Sequence, residues 1–412
     1  MPRSPYAVAA VAAAVACAGL SSPQQRPAAA APGAVVLISI DGFRSDYIQR
    51  PAARNLRALA ARGVRAEWMT PVFPSKTYPS HYTMVTGRWP EHHGVVANTM
   101  WDSEIGYTFE IGNRQAVTDP RWWGDEPIWV AVERQGRRAA AFFWPGTETA
   151  IDGVRPTWWR RYDGSVPIAQ RVAQLLEWLS LPADSAPLLV TTYFGEVDRA
   201  GHDFGPDAPQ TSAAIGRVDS AIGALVHGLE HRGLAGKVNL VVVSDHGMAA
   251  VGKERIIYLD DYLDLSQVEV IDWSPVAALA PRAGTDAEAI YARLHGRHSR
   301  LTVYRRDDIP ERYHYRAHPR IAPIIALADD GWQISSRPRA AASTREERGS
   351  HGYDPALPSM RALFVADGPA FRSGAVVAPF GNVHVYALLC EILRLRPAVN
   401  DGALDSVRAM LR

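Results

Sequence analysis

The stretch Ala34-Val35-Val36-Leu37-Ile38-Ser39-Ile40-Asp41-Gly42 decides the reading of the fold. It is a short, nearly continuous aliphatic run that stops at an aspartate and a glycine. Runs apolar on both faces suit central strands of a parallel sheet covered on both sides. Two further runs have the same form. Residues 187–194 end near Asp198, and residues 238–243 end at Asp245-His246-Gly247. Helical stretches at 52–61, 167–179 and 208–229 lie between them. This alternation predicts an α/β fold, a doubly wound and mostly parallel central sheet with helices on both faces. Ligands in such sheets gather beyond the carboxyl ends of the strands, where all three acidic clusters fall. One shared site is therefore expected.

Outward from these strands the pattern changes. Residues 253–345 have mixed polarity, with a helical piece at 286–294 and strand-like pieces at 321–327 and 331–334. They are read as an inserted cap between the two parts of a catalytic domain, 31–252 and 346–412. The sheet resumes at 361–365, and 383–395 predicts a final helix. Arg316, His318 and Arg320 in the cap read as a solvated basic face. Residues 1–30 read as a signal peptide and linker. Arg3 precedes an apolar run too short to span a bilayer comfortably, and small residues follow. This predicts export, most simply to a periplasm, with no transmembrane span in the mature chain. Cys17 is a weak candidate for a lipid anchor. Removing the peptide leaves only Cys390, so no internal disulfide is expected.

The formal net charge is +1 over 412 residues, so no global field favours duplex nucleic acid or an anionic membrane. Phosphate chemistry must come from a local site. With 13 histidines and 2 cysteines, any zinc ligands must be nitrogen and oxygen. Asp41, Asp245 and His246 follow strands. Asp198 and His202 are spaced to share one face of a helical turn. His351 lies in the glycine-flanked loop Gly349-Ser350-His351-Gly352. Three carboxylates and three imidazoles match the needs of a two-metal site. The run Phe73-Pro74-Ser75-Lys76-Thr77-Tyr78-Pro79 places Thr77 at a helix start marked by Pro79. Free N–H groups there favour an anion. Each fragment alone has a plainer reading: a helix cap, a surface ion pair, an N-cap threonine. The ordered combination is what points to phosphoryl chemistry.

From Phe73 to Tyr82, through Thr86-Gly87 and Gly94 to Asn98, the chain resembles the nucleotide pyrophosphatase/phosphodiesterase family of the alkaline phosphatase superfamily. Trp144-Pro145-Gly146, residues 198–206, 244–248, 349–355 and 382–397 extend the likeness. The resemblance implies an alkaline-phosphatase-like fold and two zinc ions. Asp41, Thr77, Asp245 and His246 would hold one, and Asp198, His202 and His351 the other. It also implies a covalent phosphothreonine at Thr77, a hydrogen bond from Asn98 to a phosphoryl oxygen, and a nucleobase held between Tyr78 and Tyr193. The chain departs from many members at Gly195-Glu196-Val197-Asp198, where they carry Glu-Glu-Pro before the aspartate. The expected activity is hydrolysis of nucleotide phosphodiester and pyrophosphate bonds. The alternative is the same scaffold acting on a phosphonoacetate-type, phospholipid-headgroup or monoester substrate.

Overall fold

The computed structural model describes residues 33–412 together with Met1 and Pro2. The expected signal peptide, the linker through residue 32 and Cys17 lie outside the described residues. Among the described residues, no helix is long and apolar enough to cross a membrane.

The central sheet contains β1 (Ala34–Ile40), β2 (Val64–Ala66), β3 (Ala139–Phe142), β4 (Trp158–Trp159), β5 (Leu189–Phe194), β6 (Val238–Val243), β7 (Phe364–Asp367) and β8 (Ala375–Val377). Their spatial order is β8-β2-β7-β6-β1-β5-β3-β4. β1 lies parallel between β5 and β6, with Ile40 opposite Phe194 and Ser39 opposite Val243. β7 alone runs against its neighbours β6 and β2. The aliphatic composition of β1 follows from burial on both faces. Val36, Ile38 and Ile40 pack with α1 (Arg54–Arg62), α3 (Ile168–Leu179) and α5 (Pro209–His231). Val35 and Leu37 belong to the opposite core with α2 (Thr77–Thr86) and α6 (Val385–Leu393). The doubly wound, mostly parallel architecture is thus present as expected.

The strand ends converge. Asp41 and Asp245 sit directly beyond β1 and β6, and α4 (Glu196–Phe204) carries Asp198 beyond β5. Gly42 permits the approach. Its φ is +67°, and a Cβ there would lie 2.9 Å from the Asp198 Cα.

Residues 253–345 contain a separate four-stranded antiparallel sheet, in the order Val268–Asp272, Val276–Pro281, Ile324–Ala328, Leu301–Arg305. Leu279, Ile290, Ile324 and Ala326 give it its own apolar cluster. The helix Ala287–Leu294 starts at Asp286, whose carboxylate accepts from the Ala289 N–H at 2.7 Å. The piece expected at 321–327 pairs over Ile324–Ala328, and that at 331–334 over Gln333–Ser335.

One expectation is corrected here. Arg316, His318 and Arg320 do not form a common solvated face. The Arg320 guanidinium turns inward, donating to Asp102 Oδ2 at 2.6 Å and to the carbonyls of Gly94 and Trp122 at 2.8 and 3.0 Å. His318 packs over Gly94. Only a planar five-donor cation satisfies so many acceptors at once, and these contacts tie the cap to the Asn98 loop.

Candidate active site

The start of α2 is locally determined. Lys76 is extended, Thr77 is the first helical residue and Pro79 follows within the first turn. The Tyr78 N–H donates to Asn98 Oδ1 at 2.9 Å. His81, one turn on, holds the Thr77 carbonyl through Nδ1 at 2.8 Å and Ser39 Oγ through Nε2 at 2.7 Å. Thr77 Oγ1 lies 3.4 Å from His246 Nε2.

Around that hydroxyl the structure brings together every proposed ligand. His246 Nε2 is 3.4 Å from Asp41 Oδ1 and 3.0 Å from Asp245 Oδ2. Asp198 Oδ1 is 3.4 Å from His202 Nε2 and 3.7 Å from His351 Nε2. The His246 and His351 rings stack at 3.5 Å. Two groups able to hold a metal result: Asp41 with Asp245 and His246, and Asp198 with His246 and His351. His202 adjoins the second through Asp198, and His246 is common to both.

The donor set fits a metal on two observations. Asp41 Oδ1, Asp198 Oδ1 and Asp245 Oδ2 are buried without a hydrogen-bond partner. Each histidine meanwhile turns Nδ1 to a main-chain carbonyl: His246 to Gly247, His202 to Gly349, His351 to Ser75, at 2.8–3.0 Å. A carbonyl only accepts, so Nδ1 carries the proton and Nε2 presents a lone pair to the carboxylates. Lone pairs facing lone pairs repel unless a cation lies between them. The electrostatics divide the set: against burial, their mutual charges hold His202 and His246 above the ordinary imidazole range and Asp198 and Asp245 below the ordinary carboxylate range. Burial, then the charges of Asp245 and Asp198, push the Asp41 carboxyl well above its ordinary range. Burial, then His246, pushes the His351 imidazole well down, which favours the neutral ligating form.

Beside Thr77 opens a slot of about 170 Å³, lined by Tyr78, Trp144, Glu148, Tyr162 and Tyr193 among others. It has room for one flat ring system rather than a drug-sized ligand. Tyr78 and Tyr193, the expected pair, both line it, and Tyr193 has a second role. Tyr193 donates its hydroxyl to Asp41 Oδ2 at 2.5 Å, and its ring stands edge-on to His81. Its hydroxyl is committed to the carboxylate, while its ring lines the slot together with Tyr78. Tyr162, which the sequence reading missed, lines the same slot and is 47% exposed. Its setting, Arg160-Arg161-Tyr162-Asp163-Gly164, has no periodicity to single it out. His81 was missed too, although its spacing of four from Thr77 is the signal for a shared helix face.

A family model described as type I phosphodiesterase / nucleotide pyrophosphatase matches residues 35–354. The chain belongs to that family. It is similar to human ectonucleotide pyrophosphatase/phosphodiesterase family member 5, with 38% identity over 92% of this chain and 78% of that one. It is also similar to the bovine bis(5'-adenosyl)-triphosphatase of the same family, with 37% identity over 96% of this chain and 84% of that one. Among solved structures, murine family member 5, as an inactive threonine-to-alanine form in complex with AMP, superposes with a TM-score of 0.88. Its identity is 38%, over 92% of this chain and all of that one. The chain is an enzyme of this metal-dependent phosphodiesterase family, with an alkaline-phosphatase-like fold.

Proposed function

We propose that the protein hydrolyses nucleotide phosphodiester and pyrophosphate bonds with two zinc ions and Thr77 as the nucleophile. The observation that carries this reading is the Thr77 hydroxyl at a helix start, 3.4 Å from His246 and beside the orphaned oxygens of Asp41, Asp198 and Asp245. Asp41, Asp245, His246 and Thr77 would hold one ion, and Asp198, His202 and His351 the other. The bound metals supply Lewis acidity, which lowers the pKa of a coordinated hydroxyl and neutralises charge on the phosphoryl oxygens.

The chain's own groups do the rest. Tyr193 fixes Asp41 by its hydrogen bond, and His81 fixes the Thr77 carbonyl. Asn98 commits Oδ1 to the Tyr78 N–H, so its NH₂ group is the part offered to a phosphoryl oxygen. Tyr78 and Tyr162 are the two faces for a base, which fits the α-phosphorus of a nucleotide to Thr77. Thr77 Oγ1 then forms a bond to phosphorus as the bond to the leaving oxygen breaks. Water later cleaves the threonine ester, restoring the hydroxyl and releasing a nucleoside monophosphate. Two in-line displacements give net retention at phosphorus. The AMP carried by the murine relative and the name of the bovine one both support a nucleotide substrate. The N-terminal segment supports action outside the cytoplasm.

The test is a substrate panel on zinc-loaded protein: ATP, GTP, UTP, p-nitrophenyl thymidine monophosphate, p-nitrophenyl phosphate and phosphonoacetate. Release of nucleoside monophosphate and pyrophosphate from all three triphosphates is expected, since stacking tolerates any base. Release of inorganic phosphate and a nucleoside diphosphate contradicts it, as does preference for the monoester or the phosphonate.

A further inference from the structure

The far end of α5 carries two histidines that the hydrolytic site does not use. His227 and His231 are four residues apart, so they share one face of the helix. Both are exposed, their Nε2 atoms lie 2.8 Å apart, and their rings stand at 87° to each other. Behind the first ring, Glu230 Oε2 lies 3.9 Å from His227 Nδ1. The pair is remote from Thr77. α5 begins just after α4, which carries Asp198, and ends before β6 begins. Its 23 residues span about 34 Å, which puts the histidines beyond the opposite edge of the sheet.

Two neutral imidazoles meet Nε2 to Nε2 only if one donates and the other accepts. One lone pair is therefore already aimed between the rings, and the other ring needs only to move its proton to Nδ1. A carboxylate beside Nδ1 favours that tautomer, as it does behind metal-bound histidines. The negative end of the helix dipole adds to the attraction for a cation, since His231 is in the last turn. The spacing selects among metals. With metal–nitrogen bonds of about 2.05 Å, two ligands at right angles are about 2.9 Å apart and two tetrahedral ligands about 3.3 Å apart. The observed 2.8 Å fits the right-angled pair. That is the geometry of tetragonal copper(II) and nickel(II), not of tetrahedral zinc.

We propose that His227 and His231 form a surface chelate for a tetragonal divalent metal, copper(II) or nickel(II), with Glu230 orienting the His227 ring. The two Nε2 atoms take adjacent positions on the metal and water fills the others. The site is separate from the catalytic one and does not depend on the reading of Thr77. Bound metal links two successive turns at the end of α5. It stabilises the native chain, because the unfolded chain does not hold the two rings at this spacing.

The experiment uses the full chain without an affinity tag, loaded with zinc and freed of excess. Isothermal titration with nickel(II) should show one further site in the native chain. His227→Asn and His231→Asn should each weaken it by about tenfold or more, because the second nitrogen no longer binds at high effective concentration. Glu230→Gln should weaken it by a smaller factor. Copper(II) on the native chain should give an electron paramagnetic resonance spectrum with two equatorial nitrogens, and with one in either histidine variant. Nickel(II) should raise the unfolding temperature of the native chain and leave that of the histidine variants unchanged. All three side chains are exposed and remote from Thr77, so hydrolytic activity should be equal in every variant, which also checks folding. Nickel(II) affinity unchanged in both histidine variants overturns the proposal, as does zinc bound at this pair more tightly than nickel(II).

Discussion

The two walls that meet at Thr77 are built in opposite ways. The metal-ligand wall comes from the ends of parallel strands: Asp41 after β1, Asp198 after β5, Asp245 and His246 after β6. Asp41, Asp245 and His246 are almost wholly buried and fixed by the sheet itself, and Asp198 follows on the helix after β5. The cap wall comes from an antiparallel sheet of mixed polarity that packs on the catalytic domain through Tyr313, Ile321 and Ile325 in the main core and a stack of Tyr313 on Phe73, with Asp272 to Lys76 and Arg320 to Asp102 as ion pairs across the seam. The first wall can therefore carry chemistry that tolerates little displacement. The second can vary with substrate while the chemistry stays in place.

If this contrast is right, damage to the strand-end wall should strike every substrate alike, and damage elsewhere should be selective. The largest effect is expected from metal removal. Chelation should lower turnover of all diesters by about 10³-fold or more, because several kcal/mol of charge stabilisation are lost. Added zinc should restore it, which assays before and after reconstitution will show.

Next in size is the buried Lys76–Asp272 pair that joins the walls, whose side chains are 6% and 15% exposed. Asp272→Asn strands the ammonium and should cost about 3–5 kcal/mol in urea unfolding. The double variant Lys76→Met with Asp272→Leu should recover much of that. Equal losses in both would show that the contact is not electrostatic.

Smaller effects separate Tyr193 from Tyr162. Tyr193→Phe removes the donor to Asp41 and should lower turnover by about 10–100-fold on nucleotides and on baseless diesters alike, since partners of metal ligands act in that range. Tyr162→Ala should lose a similar factor on nucleotides only. Steady-state kinetics on both substrate types reads the difference. A reversed pattern would return Tyr193 to the stacking role.

The smallest effect sits at the cap seam. Burial, then the Arg320 charge, pushes the His318 imidazole down to about 4, against 6.5 ordinarily. The unfolded chain therefore binds the extra proton between these values. Stability from a neutral His318 is complete above pH 6.5 and is lost as pH falls toward 4. His318→Asn should flatten that part of the stability profile, as measured by unfolding at stepped pH.

How much of this was legible in the sequence follows the same division. Asp41, Asp245 and His246 could be read because each adjoins an apolar strand that announces itself. Asp198 and His202 share a helical turn, and Thr77 precedes a proline that marks a helix start. The cap strands Val268–Asp272, Val276–Pro281 and Leu301–Arg305 were not legible, since their polarity is mixed and their pairing is long-range. Arg320 looked like surface because its acceptors are distant in sequence. The bond from Tyr193 to Asp41 was hidden for a related reason. A tyrosine at a strand end is equally suited to stacking or to donating, and only the fold shows that Asp41 Oδ2 stands opposite it.

The central claim is that Thr77 becomes covalently attached to the nucleotide. The direct measurement is acid quenching of zinc-loaded enzyme during ATP turnover, followed by mass spectrometry of the peptide that contains Thr77. A nucleoside monophosphate ester on Thr77 that appears within the first turnover and decays when substrate is exhausted is the expected result. Undiminished turnover in Thr77→Ala, or an adduct mapped to any other side chain, would contradict the account.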